Sequence, residues 1–250
     1  FKIKELEEFM NVNEIVRIVP TLKVNNRKLN EKFYIETLGM KPLLEESAFL
    51  SLGDQTATER LILEEAPSMR TRRVEGLKKL ARLLIKVENP SEIEALLSQM
   101  KSLPRLFKGN RGYAFEIVSP EEDVILVHAE DDIRDLVPLE TVPEFYSNTS
   151  IKYVSQFEVS MELRLPEGTE SLLDPEGVAP VITFTKGQGP DLAVENNVTW
   201  DLTMLKFLVK NFDLTSLRQK FEKTGYFVPK SEKFFLGKDT NNIELWFEEA

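Results

Sequence analysis

Two hundred and fifty residues leave room for two average domains or one large one, and 42% apolar with 30% charged residues is the composition of a folded globular chain. The chain has no cysteine, which excludes disulfides, thiolate nucleophiles and thiolate metal sites together; its single histidine, His128, excludes every site that needs two imidazoles from one chain. Lys and Arg (32) against Asp and Glu (42) leave a formal charge of −10, which repels phosphate backbones and argues against nucleic acid as a partner, and no apolar run reaches the roughly 18 residues of a membrane span.

In chain order, FKIKELEEF places Ile3, Leu6 and Phe9 at helical spacing, an expected extra helix with no signal-peptide pattern. A cytoplasmic location is expected, or a surface or secreted one without a recognisable signal peptide. Ile15 to Val24 alternates as a strand, with Ile18, Leu22 and Val24 on one face and Arg17, Val19 and Thr21 on the other. NNRKLNEKFYIETLGM then predicts a helix capped by Asn25 or Asn26, with Leu29, Phe33, Tyr34 and Leu38 as its buried stripe and Gly39 as its stop. Strands are predicted at 41–44, 47–52 and 60–64. The order restarts at Leu80 to Val87. Ser91 and Glu94 have capping-box spacing before a helix carrying Ile93, Leu96, Leu97 and Met100, and 113–118 with 123–129 form a hairpin.

From Asp131 to Ser150 periodicity lapses, so a boundary is expected near Leu139, giving domains 1–138 and 139–250. Beyond it, strands are predicted at 156–165, 181–184 and 191–195, with little helix in PEGTESLLD. Leu202 to Val209 leads through Asp213 to a helix with Leu214, Leu217 and Phe221, then a hairpin of 233–236 and 243–247. Two stretches, LLIKVENPSEIEALLSQM and LKFLVKNFDLTSLRQKFEKTG, repeat one pattern of strand, polar turn and helix. The expectation is an α+β protein of four such units, neighbours pairing two by two, because one small sheet with one helix cannot close its own open face.

This pattern resembles the vicinal-oxygen-chelate (VOC), or glyoxalase-like, superfamily, whose βαβββ units pair around a cup; Phe33-Tyr34, Leu38-Gly39 and the closing NIELWFEE carry the likeness. More closely, VPTLKVNNRKLNEKFYI, the absence of Cys and a degraded third unit resemble the CppA family of streptococcal proteins, named as proteinases that degrade the third complement component. The resemblance implies that component as a partner and a divalent metal on inward side chains of the cups. The positions that align with those ligands read Val19, Ile62, Arg82 and Leu126 in the first pair of units, and Ser160, Ala193, Met204 and Glu244 in the second. They offer one carboxylate where an open metal site takes about three protein ligands, so neither metal nor cofactor is expected.

The residues themselves leave two chemistries open. In the first cup Arg17, Thr21, Arg82, Lys86 and His128 would face inward, an anion pocket if Glu116 does not neutralise Arg82, with binding that tightens as His128 protonates toward pH 6. In the second, Glu158, Ser160, Glu162, Arg164, Lys206, Glu244 and Trp246 would hold a cationic or peptide-like ligand. The predicted ligand-binding residues are therefore Arg17, Thr21, Arg82, His128, Ser160, Lys206, Glu244 and Trp246. No G-x-S-x-G elbow, D-T-G or D-S-G motif is present, so proteolysis follows from the resemblance alone, against a non-catalytic module binding a small molecule or peptide. A cofactor-free lyase or isomerase using His128 is a third reading. The basic run Met69 to Lys79 is expected to be a solvated loop or to recruit an anionic partner.

Overall fold

The computed structural model describes residues 12–66, 69–146 and 150–250; the helix expected over Ile3, Leu6 and Phe9 lies outside them. The first unit contains β1 (Glu14–Val24), α1 (Arg27–Glu31), β2 (Lys41–Glu46), β3 (Phe49–Gly53) and β4 (Glu59–Glu65). The second contains β5 (Leu80–Val87), α2 (Pro90–Gln99), β6 (Arg105–Lys108), β7 (Tyr113–Val118) and β8 (Val124–His128), followed by a 3-10 turn at Ile133–Asp135 and β9 (Val137–Pro138). The third is reduced to β10 (Phe157–Pro166), the single turn α3 (Pro175–Val178) and β11 (Ile182–Gly187). The fourth has β12 (Leu202–Lys210), α4 (Leu214–Lys220), β13 (Tyr226–Phe227), β14 (Phe234–Lys238) and β15 (Glu244–Glu249).

These strands make two sheets, but not from neighbouring units. One has the order β13-β14-β15-β12-β1-β4-β3-β2, the other β11-β10-β5-β8-β7-β6-β9. Unit one therefore pairs with unit four, through β1 antiparallel to β12, and unit two with unit three, through β5 antiparallel to β10. Each sheet draws strands from both sides of Leu139. The expected pairing of neighbours is corrected here: period 2 assigns each side chain to a face but does not choose the strand beside it. The helix-covered faces of both sheets meet in one core, where Leu22, Leu63 and Phe207 join a cluster with Leu83, Phe115 and Met161.

Polar ties fasten the sheets. Buried Asp201, just before β12, accepts from the backbone nitrogens of Lys79 (2.6 Å), Leu80 (3.2 Å) and Leu202 (2.8 Å). Asp54, after β3, accepts from the Phe157 nitrogen at 3.3 Å and from Arg60 Nε at 3.1 Å. Gly39, with φ +67, ends the first helix where its carbonyl accepts from Val154 N; a Cβ there would lie 3.1 Å from the Val154 side chain.

Local readings are refined as well. Asn26 caps α1 by accepting from Leu29 N at 3.0 Å, but the helix continues as a π-helix over Lys32–Thr37, with Leu38 N bonded to Phe33 O. The wider turn rotates the apolar stripe: Tyr34 and Leu38 are buried, whereas Leu29 is 53% exposed. In α2 the cap is Asn89, not Ser91; Asn89 Oδ1 accepts from Ser91 N and Pro90 takes the first helical position. Residues 191–195 are turn rather than strand, because Asp191 is bound by Arg72 at 2.6 and 2.8 Å and by Glu75 N at 2.7 Å. That bond, with Arg73–Glu122 and Lys78–Asp123, makes the basic run a strap held against its own protein. Lys79 is buried and donates to the Val194 carbonyl at 2.7 Å; burial lowers its pKa to about 8.

Candidate functional site

On the eight-stranded sheet, alternation gives Ile18, Leu22, Leu61, Leu63, Phe207 and Leu245 to the core and leaves the other face open. Pairing arranges that face in rows. Glu244, Met204, Thr21 and Ile62 lie side by side across β15, β12, β1 and β4; the adjacent row is Leu236, Trp246, Lys206 and Val19. Beside them lies a cavity of about 470 Å³, walled by Leu44, Phe49, Ile62, Met204 and Trp246, with Glu59, Ser51 and Lys206 as polar groups. Trp246 stacks on Phe234 with centroids 3.7 Å apart and donates to Glu248 at 2.8 Å, which fixes its ring as a wall. Lys206 bridges Glu59 (3.1 Å) and Glu248 (3.0 Å); burial pulls its pKa down, but those two carboxylates outweigh burial and hold it above the ordinary lysine value. Burial, and then the charge of Glu64, raise the Glu244 carboxyl.

The seven-stranded sheet presents another open face. Glu158, Lys86 and His128 form one row across β10, β5 and β8, and Ser160, Leu84 and Leu126 the next. A cavity of about 580 Å³ above it is lined by the first row, by Ser160 and Leu84 of the second, and by Glu162, Thr183 and the segment from Glu130 to Arg134. Lys86 is held by Asp131 at 2.6 Å and Arg82 by Glu162 at 2.6 Å, with Glu116 at 4.0 Å from the same guanidinium. His128 is 4% exposed and its Nδ1 meets no partner; burial first, then the charges of Lys86 and Arg82, lower its pKa to about 4.

The two groupings expected from the sequence are thus redistributed. Arg17 and Thr21 share the eight-stranded sheet with Lys206, Glu244 and Trp246, while Arg82, His128 and Ser160 lie on the seven-stranded one. Thr21 is fully buried beneath its row, and Arg17 lines a separate cavity of about 150 Å³ with Arg60 and Glu158. Arg17, Arg82 and His128 do not make one anion pocket, and a histidine at about 4 does not gain charge near pH 6. Ser160 and His128 are separated by β5, about 10 Å of strand spacing, and no hydrogen bond joins them as nucleophile and base. Sequence reasoning missed Leu44, Phe49 and Glu59 as cavity walls. They sit on β2, β3 and β4, whose alternation was readable, but they reach the cavity only because β4 joins β1 while β12 brings Trp246 from the far end of the chain.

Mixed α+β units paired into two sheets, each with an open face, define the glyoxalase-like, or VOC, class of fold. The chain belongs to the CppA family: the family models CppA N-terminal and CppA C-terminal match residues 17–139 and 154–247. The crystal structure of the cppA protein from Streptococcus pneumoniae is 67% identical, with a TM-score of 0.92 over 96% of this chain and 100% of that one. The fold alone is shared, at 11% identity, with a putative dioxygenase from Bacillus subtilis (TM-score 0.56; 96% of this chain, 86% of that one) and with glyoxalase I from Zea mays (TM-score 0.54; 93% and 92%). A search of curated proteins gives no match. With the observed pairing, the four positions expected to correspond to metal ligands in the eight-stranded sheet are Val19, Ile62, Met204 and Glu244, one carboxylate and one soft thioether. This donor set does not fit a divalent ion of the Zn, Ni or Fe type, and among the described residues no group of three His, Asp or Glu side chains is placed to hold a metal. No helix among those residues is long and apolar enough to cross a membrane.

Proposed function

We propose that this protein is a ligand-binding module that works without a divalent metal, and that the eight-stranded sheet takes a compact ligand, a small molecule or a peptide side chain, in the cavity beside Trp246. The observation that carries this reading is the cavity itself: about 470 Å³, with one aromatic wall locked by Phe234 and Glu248, apolar walls from Ile62, Met204 and Leu44, and Ser51, Glu59 and Lys206 among the polar groups that can orient a ligand. Such a site favours a flat apolar body oriented by one or two polar contacts. A thermal-shift screen of small aromatic and aliphatic compounds tests it. Compounds that stabilise the wild-type protein should lose their effect on Trp246→Ala, checked to be folded by circular dichroism. Compounds that stabilise both equally, or a screen without any stabilising compound, overturn the reading.

Membership in the CppA family supports a second reading, degradation of the third complement component, with a mechanism that uses neither a thiol nor the superfamily metal site. His128, the sole imidazole, is neutral at physiological pH and bonded to no serine. Incubation of the purified protein with complement component three, with and without class-specific inhibitors, decides between the readings. Inhibitor-sensitive fragments support proteolysis; intact component after prolonged incubation removes it.

A further inference from the structure

The seven-stranded sheet carries a second cavity that the binding reading above does not use. Its lining shows an imbalance in hydrogen-bonding capacity. The lining cations are occupied, Lys86 by Asp131 and Arg134 by Asp132, and Arg82 at the edge is taken by Glu162. Among the residues that line the cavity itself acceptors are left over, while the unpartnered buried donors nearby, Arg82 Nε and Arg17 Nε, belong to side chains outside that lining. Glu158 has no hydrogen bond or ion pair among the described residues, although Arg17 and Arg60 line a smaller cavity on its other side. Ser160 and Thr183 keep free hydroxyls, and the Nδ1 of His128, buried and lining the cavity, has no partner. Of these only His128 Nδ1 is shut off from solvent, so a ligand that brings a donor to it makes a bond that neither protein nor water supplies, while Glu158 and Thr183 stand exposed beside it.

We propose that this cavity binds a primary ammonium group, with Glu158 as its charge partner and His128 Nδ1, Ser160 and Thr183 as acceptors. The ring suits this role. Burial with the charges of Lys86 and Arg82 keeps the ring neutral down to about pH 4, and a neutral ring with its proton on Nε2 offers a lone pair at Nδ1. Asp131, which caps Lys86 from the exposed segment after β8, keeps that ammonium from competing for Glu158. A side-chain ammonium of a peptide and a free diamine share this chemistry.

The single histidine makes the test direct, because its imidazole nitrogens give one unambiguous set of NMR signals. The full chain, labelled with 15N, is titrated at pH 7 with N-α-acetyl-lysine methylamide, with butane-1,4-diamine, and with the ε-acetylated lysine derivative as a neutral control. Either amine should shift the His128 nitrogen signals saturably, and the tighter of the two assigns the source as peptide or free amine. Glu158→Gln, an exposed position that leaves the core untouched, should weaken binding about fivefold, the scale of a partly exposed ion pair. No shift with either amine, equal binding by Glu158→Gln, or an equal response to the neutral control overturns the proposal.

Discussion

Arg82 on β5 holds Glu162 on β10 with one guanidinium nitrogen 2.6 Å from the carboxylate, across the seam that joins units two and three. Both side chains are about a quarter exposed, and Glu116 stands 4.0 Å away as a second carboxylate. Arg82→Leu should therefore destabilise the fold by about 1 kcal/mol, since it leaves two like charges facing each other. Adding Glu162→Leu should recover much of that loss. Urea unfolding of the wild type, both single variants and the double variant measures the coupling; additive effects would mean that the pair contributes nothing.

Acid should weaken the fold through His128. The unfolded imidazole binds a proton near 6.5 and the folded one only near 4, so below 6.5 the unfolded state gains protons that the native state refuses. The contribution of the neutral ring is complete above 6.5, falls as pH drops through the window from 6.5 to about 4, and levels off below it; at most about 3 kcal/mol is involved. Melting temperatures at closely spaced pH values should show a shallower acid slope for His128→Gln than for the wild type. Parallel slopes would place the folded pKa near its ordinary value.

Asp201→Ala should be among the more damaging single changes. It removes the acceptor of three backbone N–H groups, from Lys79, Leu80 and Leu202, all at the point where β5 and β12 begin. Even partial rescue by water leaves a loss of about 2–4 kcal/mol. Asp201→Asn keeps one acceptor oxygen and should lose less. Chemical denaturation of the two variants ranks them, and equal stability of Asp201→Ala and the wild type would show the ties to be incidental.

Metal analysis should find no stoichiometric zinc, nickel or iron in protein purified without chelator and dialysed against each ion. Val19 and Ile62 have no side-chain donor atom, and Glu244 is joined in its row only by the Met204 thioether and the neutral Thr21 hydroxyl, short of the three good ligands a divalent ion takes. Retention of one equivalent that Glu244→Gln abolishes would restore the superfamily's chemistry.

Strand faces and helix positions were legible in the sequence because alternation and capping are local. Ile18, Leu22 and Val24 are buried as read, Asp213 does cap α4, and Leu217 within it and Phe221 at its C-cap are buried. The candidate site was legible only in parts. Lys206, Glu244 and Trp246 were correctly assigned to an open face, but their companions are Ile62, Ser51 and Phe49 of unit one, and no local pattern reports that β12 lies against β1. The phase of α1 was lost for a different reason. The π-helical turn over Lys32–Thr37, with Leu38 bonded five residues back to Phe33, shifts the phase between exposed Leu29 and buried Tyr34 and Leu38, and no residue type signals it. The strand β6 escaped notice because RLFK is four residues long with charges at both ends.

The pairing of unit one with unit four and of unit two with unit three nests one sheet inside the other along the chain, like brackets. During synthesis the inner pair closes first, once β10 follows β5. Strand β1 must wait for β12, which begins at Leu202. At about 5–20 residues per second that is about ten to forty seconds on the ribosome with one edge of β1 unpaired. A nascent chain stalled before Leu202 holds a finished seven-stranded sheet and an orphaned first unit, whose apolar strands are then the natural target of a chaperone. Early termination before Lys210 removes the partner of β1, so damage late in the chain is felt in a strand made nearly two hundred residues earlier.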